Sequence, residues 1–219
     1  MISEHIESLG FELECGIKTE EGLQKIRRES NGGLSRLEVE SDGSVYVPET
    51  AYENAEIKYY SDELPEIHET LDWLMKLVET NGTCGFHIHI RLKNIGSNFG
   101  ILTHKFYYSE FIKAYKTEFR GNSKYEARLT NRYCKPSYRE SDIDRQLSTP
   151  RKDSSRYKAI NFNAYTVHDT IEIRIMPHPD SAAEAKKEIQ FVISQIERIL
   201  TMPASITSTY KPQIDRLLY

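Results

Sequence analysis

Thr83-Cys84-Gly85-Phe86-His87-Ile88-His89-Ile90-Arg91 alternates without a break. Successive side chains of an extended chain point to opposite sides, so Cys84, Phe86, Ile88 and Ile90 fall on one face and Gly85, His87, His89 and Arg91 on the other. The first face is apolar enough for a core. The second carries two imidazoles and a guanidinium.

Two further stretches divide in the same way. In Leu9-Gly10-Phe11-Glu12-Leu13-Glu14-Cys15, the carboxylates Glu12 and Glu14 share a face opposite Phe11, Leu13 and Cys15. In Thr170-Ile171-Glu172-Ile173-Arg174-Ile175, three isoleucines back a Glu/Arg pair. Residues two apart on a strand are roughly 7 Å apart, and adjacent strands about 4.8 Å. Strands of this kind in one sheet would gather acids, imidazoles and a Glu/Arg pair on one polar surface. A half-exposed antiparallel sheet also alternates without any site. Glu is depleted in strands, however, so Glu beside Glu and His beside His points to something between them that offsets the repulsion.

The whole chain sets the frame. Its 219 residues are 38% hydrophobic and 28% charged, the balance of one ordinary globular domain with room for a sizeable core. No run of about 18 apolar residues is present, so no membrane span is expected. The acidic start Met1-Ile2-Ser3-Glu4-His5-Ile6-Glu7 lacks the apolar core of a signal peptide, and the expected compartment is the cytoplasm. Three cysteines cannot build a disulfide framework. Cys15 and Cys84 fall on the apolar faces, away from His87 and His89, which argues against a Cys/His zinc site. The net charge of −4 is uneven: Arg120 to Lys158 holds eleven Lys/Arg against five Asp/Glu. That basic segment is a solvated face or the phosphate-facing side of a site.

Other elements follow from periodicity. Helices are expected over Glu20–Glu29, ended by Asn31-Gly32-Gly33, over Asp62–Glu79, over Thr103–Phe119 and over Ser181–Thr201, with Ser181 as N-cap and Pro203 as the stop. The aromatics Phe106, Tyr107, Phe111 and Tyr115 read as packing rather than as a ligand pocket. Strands are expected over Leu37–Val47, with Asp42-Gly43 as turn or bulge and Pro48 as its end, and over Ala55–Tyr60. Arg120–Arg156, with Pro136 and Pro150, reads mostly as a long loop. Lys158–Tyr165 reads as a strand with Ile160, Phe162 and Ala164 inward and Asn161 and Asn163 on the other face. A hairpin turn at Val167-His168-Asp169 leads into Ile171–Ile175. Strands not alternating with helices predict an α+β fold with an antiparallel sheet. One domain over 1–219 is expected, with a basic loop at about 120–158.

The order of the motifs carries a resemblance. Gly10-Phe11-Glu12-Leu13-Glu14, Asp42-Gly43-Ser44, Cys84-Gly85-Phe86-His87-Ile88-His89-Ile90, Arg156-Tyr157-Lys158-Ala159-Ile160-Asn161 and Glu172-Ile173-Arg174 resemble, in sequence order, the amidoligase family. Asn131-Arg132-Tyr133-Cys134-Lys135-Pro136 is similar to a basic Arg-Tyr-Cys-Pro segment of the same family. That family belongs to the carboxylate–amine ligase superfamily with glutamine synthetase and glutamate–cysteine ligase. The resemblance runs from about Gly10 to Ile175.

It implies a glutamine synthetase-like catalytic fold, an antiparallel sheet with a concave active face and helices packed on the other. It implies ATP and Mg²⁺ as cofactors. By the same resemblance Glu12, Glu14, His87 and Glu172 hold metal, with Glu56 as a further acidic ligand. His89, Arg132, Arg156 and Asn161 bind the nucleotide, and Arg156 and Arg174 meet the transferring phosphoryl group. The implied activity joins a small-molecule or peptide carboxylate to an amine through an acyl phosphate. Phosphoryl transfer rests on positioning and charge neutralisation, and hard Mg²⁺ prefers carboxylate oxygens, which suits Glu12, Glu14 and Glu172. No glycine-rich phosphate loop is present. Two alternatives stand beside this reading. One is a metal-dependent enzyme acting on nucleic acid through the basic segment, against which the acidic overall charge counts. The other is a non-catalytic binding module that keeps the fold.

Overall fold

The computed structural model describes residues 2–32, 36–47, 51–148 and 154–202. These residues form an α+β fold, a seven-stranded antiparallel sheet with eight helices. The strands are β1 (Ile6–Ile17), β2 (Leu37–Ser41), β3 (Glu53–Ser61), β4 (Val78–Glu79), β5 (Phe86–Leu92), β6 (Ile160–Asn161) and β7 (Ile171–Ile173). The helices are α1 (Glu20–Gly32), α2 (Leu64–Leu77), α3 (Ile95–Thr103), α4 (Lys105–Glu118), α5 (Ser123–Arg128), α6 (Glu140–Ser148), α7 (Tyr165–His168) and α8 (Ala182–Leu200). The strand order is β2-β3-β1-β5-β7-β6, with β4 on β1. Among the described residues no helix is long and apolar enough to cross a membrane. The expected stops at Gly33, Pro48 and Pro203, and Pro150 of the expected loop, lie outside the described residues.

The described residues fall into two compact units. The first holds Ile2 and the described residues of Ser8–His89 and Met176–Gln190; the second holds Ser3–Glu7 and the described residues of Ile90–Ile175 and of 191–202.

In the first unit, β3 pairs antiparallel with β1 on one side and β2 on the other. The two-residue period puts Phe11, Leu13, Cys15, Ala55, Ile57, Tyr59, Phe86 and Ile88 in the core. Helix α2 covers that core with Ile67, Leu71 and Leu74, all fully buried, and the Tyr59 hydroxyl is hydrogen-bonded to Thr70. Each such aliphatic side chain contributes about 1.5–3 kcal/mol by leaving water. Helix α1 adds Leu23 and Ile26.

Two expectations are corrected in this unit. The helix expected to reach Glu79 stops at Leu77, because β-branched Val78 turns extended (φ −117°, ψ 161°) and pairs opposite Ile17 as β4. The strand expected to continue to Val47 stops at Ser41. The Asp42 carboxylate accepts from the Ser44 amide at 2.8 Å and the Ser44 hydroxyl at 2.7 Å, which closes a local turn. Val45 and Val47 then pack around Cys84 instead of joining the ladder.

The second unit has an aromatic core. Phe119 stacks on Tyr125 at 4.0 Å, and Phe191 of α8 meets Phe111, Tyr115 and Phe119 edge-on. Tyr107, Phe111 and Tyr115 are buried, as packing requires, and Phe106 is exposed. The segment expected as a loop from Arg120 to Arg156 contains α5, α6 and a short 3-10 turn at Ser154–Arg156. The Asn122 side chain caps α5 by accepting from the Lys124 amide. In α6, Ile143, Gln146 and Leu147 recur at helical spacing and are buried. The helix expected over Thr103–Phe119 runs as α4 from Lys105, its start set by His104, whose Nδ1 caps it by accepting from the Phe106 amide at 3.2 Å; α3, just before it, is a further helix that the periodicity did not announce.

The β6–β7 hairpin exists, with Ile160 opposite Ile173 and Asn161 opposite Glu172, but both strands are shorter than expected. Their connection is the helical turn α7, ended by Asp169 in the left-handed region at φ 54°. Asn163, expected on the face of Asn161, is buried and donates to the Gln146 carbonyl of α6 at 3.1 Å. Gln146 in turn accepts from the Phe162 amide and donates to the Ser155 carbonyl, so one buried amide ends the strand early.

Candidate functional site

The sheet face opposite the first unit's core is built of charge. Register sets Glu14 opposite Glu56 and Glu56 opposite Glu40, giving three carboxylates abreast on β1, β3 and β2. One step along, Glu12 faces Lys58 and Lys58 faces Glu38. His87 and His89 of β5 complete the face on the other side of Glu12.

Glu12 is held by both imidazoles. Its Oε2 lies 3.1 Å from His87 Nδ1 and its Oε1 3.2 Å from His89 Nε2. Burial alone would push the Glu12 carboxyl up; the hydrogen bonds and charges of His87 and His89 outweigh it and hold the group well below the usual carboxylate range. With Nδ1 turned to Glu12, His87 presents Nε2 to Glu14, 4.0 Å from its Oε1. A carboxylate on the far nitrogen of a ligand imidazole fixes ring and tautomer. Glu12, expected as a metal ligand, sits between the two rings, where its carboxylate also orients them.

Gly85 fixes Glu14. Its amide donates to Glu14 Oε2 at 2.6 Å, and its carbonyl accepts from the Glu14 amide at 3.1 Å. A Cβ at this position would stand 2.8 Å from His87 Nε2, so the imidazole occupies space that only glycine leaves open.

Glu14, Asp42 and Glu56 each offer a carboxylate oxygen, all within 4.8 Å of one another. Burial, and then the charge of Glu12, raise the Glu56 carboxyl above its ordinary value, while Lys58 opposes the shift. Lys58 Nζ sits 2.9 Å from Glu56 Oε1 and 2.6 Å from Glu40 Oε2, and these bonds overcome burial to raise the ammonium's affinity for its proton. Three oxygen donors around one point are the chemistry of a hard divalent cation, and this donor set fits Mg²⁺.

The second unit gathers the other predicted residues. Glu172 and Arg174, two apart on one face, form a buried ion pair, and Asn161 Nδ2 donates to Glu172 Oε2 at 2.6 Å from the facing strand. Arg128 donates to the Arg174 and Ile175 carbonyls, and Arg174 Nε lies 3.5 Å from the Tyr133 carbonyl. Among the described residues no hydrogen bond or ion pair joins Arg132 or Arg156 to this pair. Each lies over the ring of its following tyrosine, at 4.7 Å for Tyr133 and 5.5 Å for Tyr157.

The sequence thus points to Glu12, Glu14, Glu56, His87 and His89 on one face of the first unit. It also points to Asn161, Glu172 and Arg174, in the second unit. It misses Asp42 as a donor, Lys58 as a counter-ion and Gly85 as the residue that seats Glu14. The signal for Lys58 is its place two residues from Glu56 on an alternating strand; Asp42 arrives through a turn that alternation does not describe. Cys15 and Cys84 are free, buried and on the apolar side, as expected. No protein-family model matches the chain, and no curated protein matches it.

Proposed function

We propose that this chain is an ATP- and Mg²⁺-dependent ligase that joins a small-molecule or peptide carboxylate to an amine, on a glutamine synthetase-like sheet. The observation that carries the reading is the carboxylate trio of Glu14, Asp42 and Glu56 beside the Glu12-held imidazoles. Repulsion within it is only partly relieved by Lys58, which leaves it suited to a divalent cation. The motif order from Glu12 to Arg174 supports the same reading, and so does the basic segment in an otherwise acidic chain. An ATP-using ligase of this composition belongs in the cytoplasm.

Within the first unit Glu14, Asp42, Glu56 and His87 would hold Mg²⁺, with Glu12 a further ligand that the resemblance implies there. The bound cation supplies neutralisation of phosphate charge. The chain's own residues do the rest. Glu12 orients His87 and His89, Gly85 seats Glu14, and Asn161 with Arg174 fixes Glu172. Arg156 and Arg132 offer guanidinium donors to phosphate oxygens. In the overall reaction the γ-phosphoryl group passes to a carboxylate oxygen with release of ADP. The amine nitrogen then displaces phosphate, losing a proton and leaving the amide.

Purified protein should release ADP and phosphate only when carboxylate, amine and Mg²⁺ are all present, and Glu14→Gln should abolish the release. A broad substrate screen without release, together with no Mg-ATP binding by calorimetry, would refute the reading. One observation favours a non-catalytic module instead: Lys58 and Arg174 already pair with Glu56 and Glu172. On that alternative Glu14→Gln leaves partner binding unchanged.

A further inference from the structure

The second unit contains the same dipeptide twice, Arg132-Tyr133 and Arg156-Tyr157, and the backbone sets the copies side by side. Lys135 bridges in parallel to Lys158, the Lys135 amide donating to the Tyr157 carbonyl at 3.2 Å and the Ala159 amide to the Lys135 carbonyl at 2.9 Å. The two tyrosine rings meet edge to face, with centroids 5.2 Å apart. Each carries its own arginine over the ring.

The support beneath is rigid. Tyr133 is held by its amide on Asn131 Oδ1 at 2.8 Å, and the next residue, Cys134, is fully buried with its thiol on the Arg128 carbonyl. The top is open: Tyr133 is 44% exposed and Arg132 is exposed. Among the described residues neither Arg132 nor Arg156 has a carboxylate within ion-pair distance, whereas Lys158 beside them is paired to Asp142 at 2.6 Å.

We infer that the Arg132-Tyr133/Arg156-Tyr157 pair is a stacking platform for the base of a nucleotide whose phosphates are met by the two guanidiniums. Aromatic rings and guanidinium planes both take a planar base, and an unneutralised guanidinium takes phosphate. A ring fixed before binding loses little entropy on binding. The basic balance of Arg120 to Lys158 draws an anion to this part of the chain. The inference rests on the nucleotide-dependent reading above and extends it, since it names the groups that hold the base.

The test is calorimetry of the full chain with ATP and with inorganic tripolyphosphate. Tyr133→Ala should weaken ATP about tenfold, the usual worth of one stacked base. It should weaken tripolyphosphate far less, because Arg132 keeps its charge although it loses the Tyr133 hydroxyl to which it donates, and Tyr133→Trp should restore ATP. Arg132→Met should weaken both ligands. Because Tyr133 is at the surface, the melting temperature of Tyr133→Ala should match that of the parent. Parent-like ATP affinity in Tyr133→Ala, or equal loss of both ligands, overturns the platform and leaves the ligase reading standing. Loss of ATP alone, in a protein that shows no ligase turnover, supports the platform and sinks the ligase reading. A parent chain that binds no nucleotide overturns both.

Discussion

Gly85→Ala puts the geometry of the charged face to its sharpest test. The added Cβ would lie 2.8 Å from His87 Nε2 and 3.1 Å from Glu14 Oε2, so something must move. His87 has little room to retreat, since its side chain is 5% exposed and its Nδ1 is held by Glu12. Glu14 is tied to the same residue by the Gly85 amide. Overpacking of this kind costs about 1–3 kcal/mol. For a chain of this size that lowers the melting temperature by about 2–12 °C. If His87 is the obstacle, most of the penalty disappears in a His87→Ala background, and a double-mutant cycle by thermal or chemical unfolding should give a coupling above about 0.5 kcal/mol. The variant should also bind Mn²⁺ more weakly, because the imidazole and the carboxylate are displaced together. An equal penalty in both backgrounds, or none in either, would show that Gly85 does not set the spacing of His87 and Glu14.

Three further outcomes follow from the same contacts. Glu12 has a depressed carboxyl, so it contributes stability above the unfolded value of about 4.3 that is lost as pH falls through the lower folded one. Glu12→Gln should therefore flatten the acid limb of stability against pH, and superimposable limbs would sink the argument. Lys58→Met removes the ammonium that pairs with Glu56 and Glu40; Mn²⁺ titration should show tighter binding, and weaker binding would make Lys58 an organiser of Glu56 instead. Ile143→Ala in α6 should cost about 2–5 kcal/mol in denaturant unfolding. A loss below about 0.5 kcal/mol, the range of ordinary surface changes, would mean that α6 does not pack.

The elements best read from sequence are those whose faces differ most. In β1 and β5 every second residue is apolar, and burial follows that alternation closely. The long stripe of α8 is equally plain, and Ser181 caps it by accepting from the Glu184 amide. Where single polar side chains decide, alternation misleads. Asp42 ends β2 by bonding Ser44, His104 sets the start of α4 by capping it, and Gln146 pulls Asn163 off the expected face. Helix α6 is hidden by the polar composition around it, though Ile143 and Leu147 already stand four apart. For the site, alternation gives the face of each residue but not the register. Glu14 opposite Glu56, and Lys58 opposite Glu12, are consequences of which strands pair and with what offset.

Glu14, Glu56 and Glu40 side by side, with one ammonium among them, make a folded state that pushes against itself. Dissolved ions mute that push within a Debye length of about 10 Å at 0.1 M salt. The chain should accordingly be softest in dilute buffer and harden as sodium chloride is added, before any ligand is offered to it.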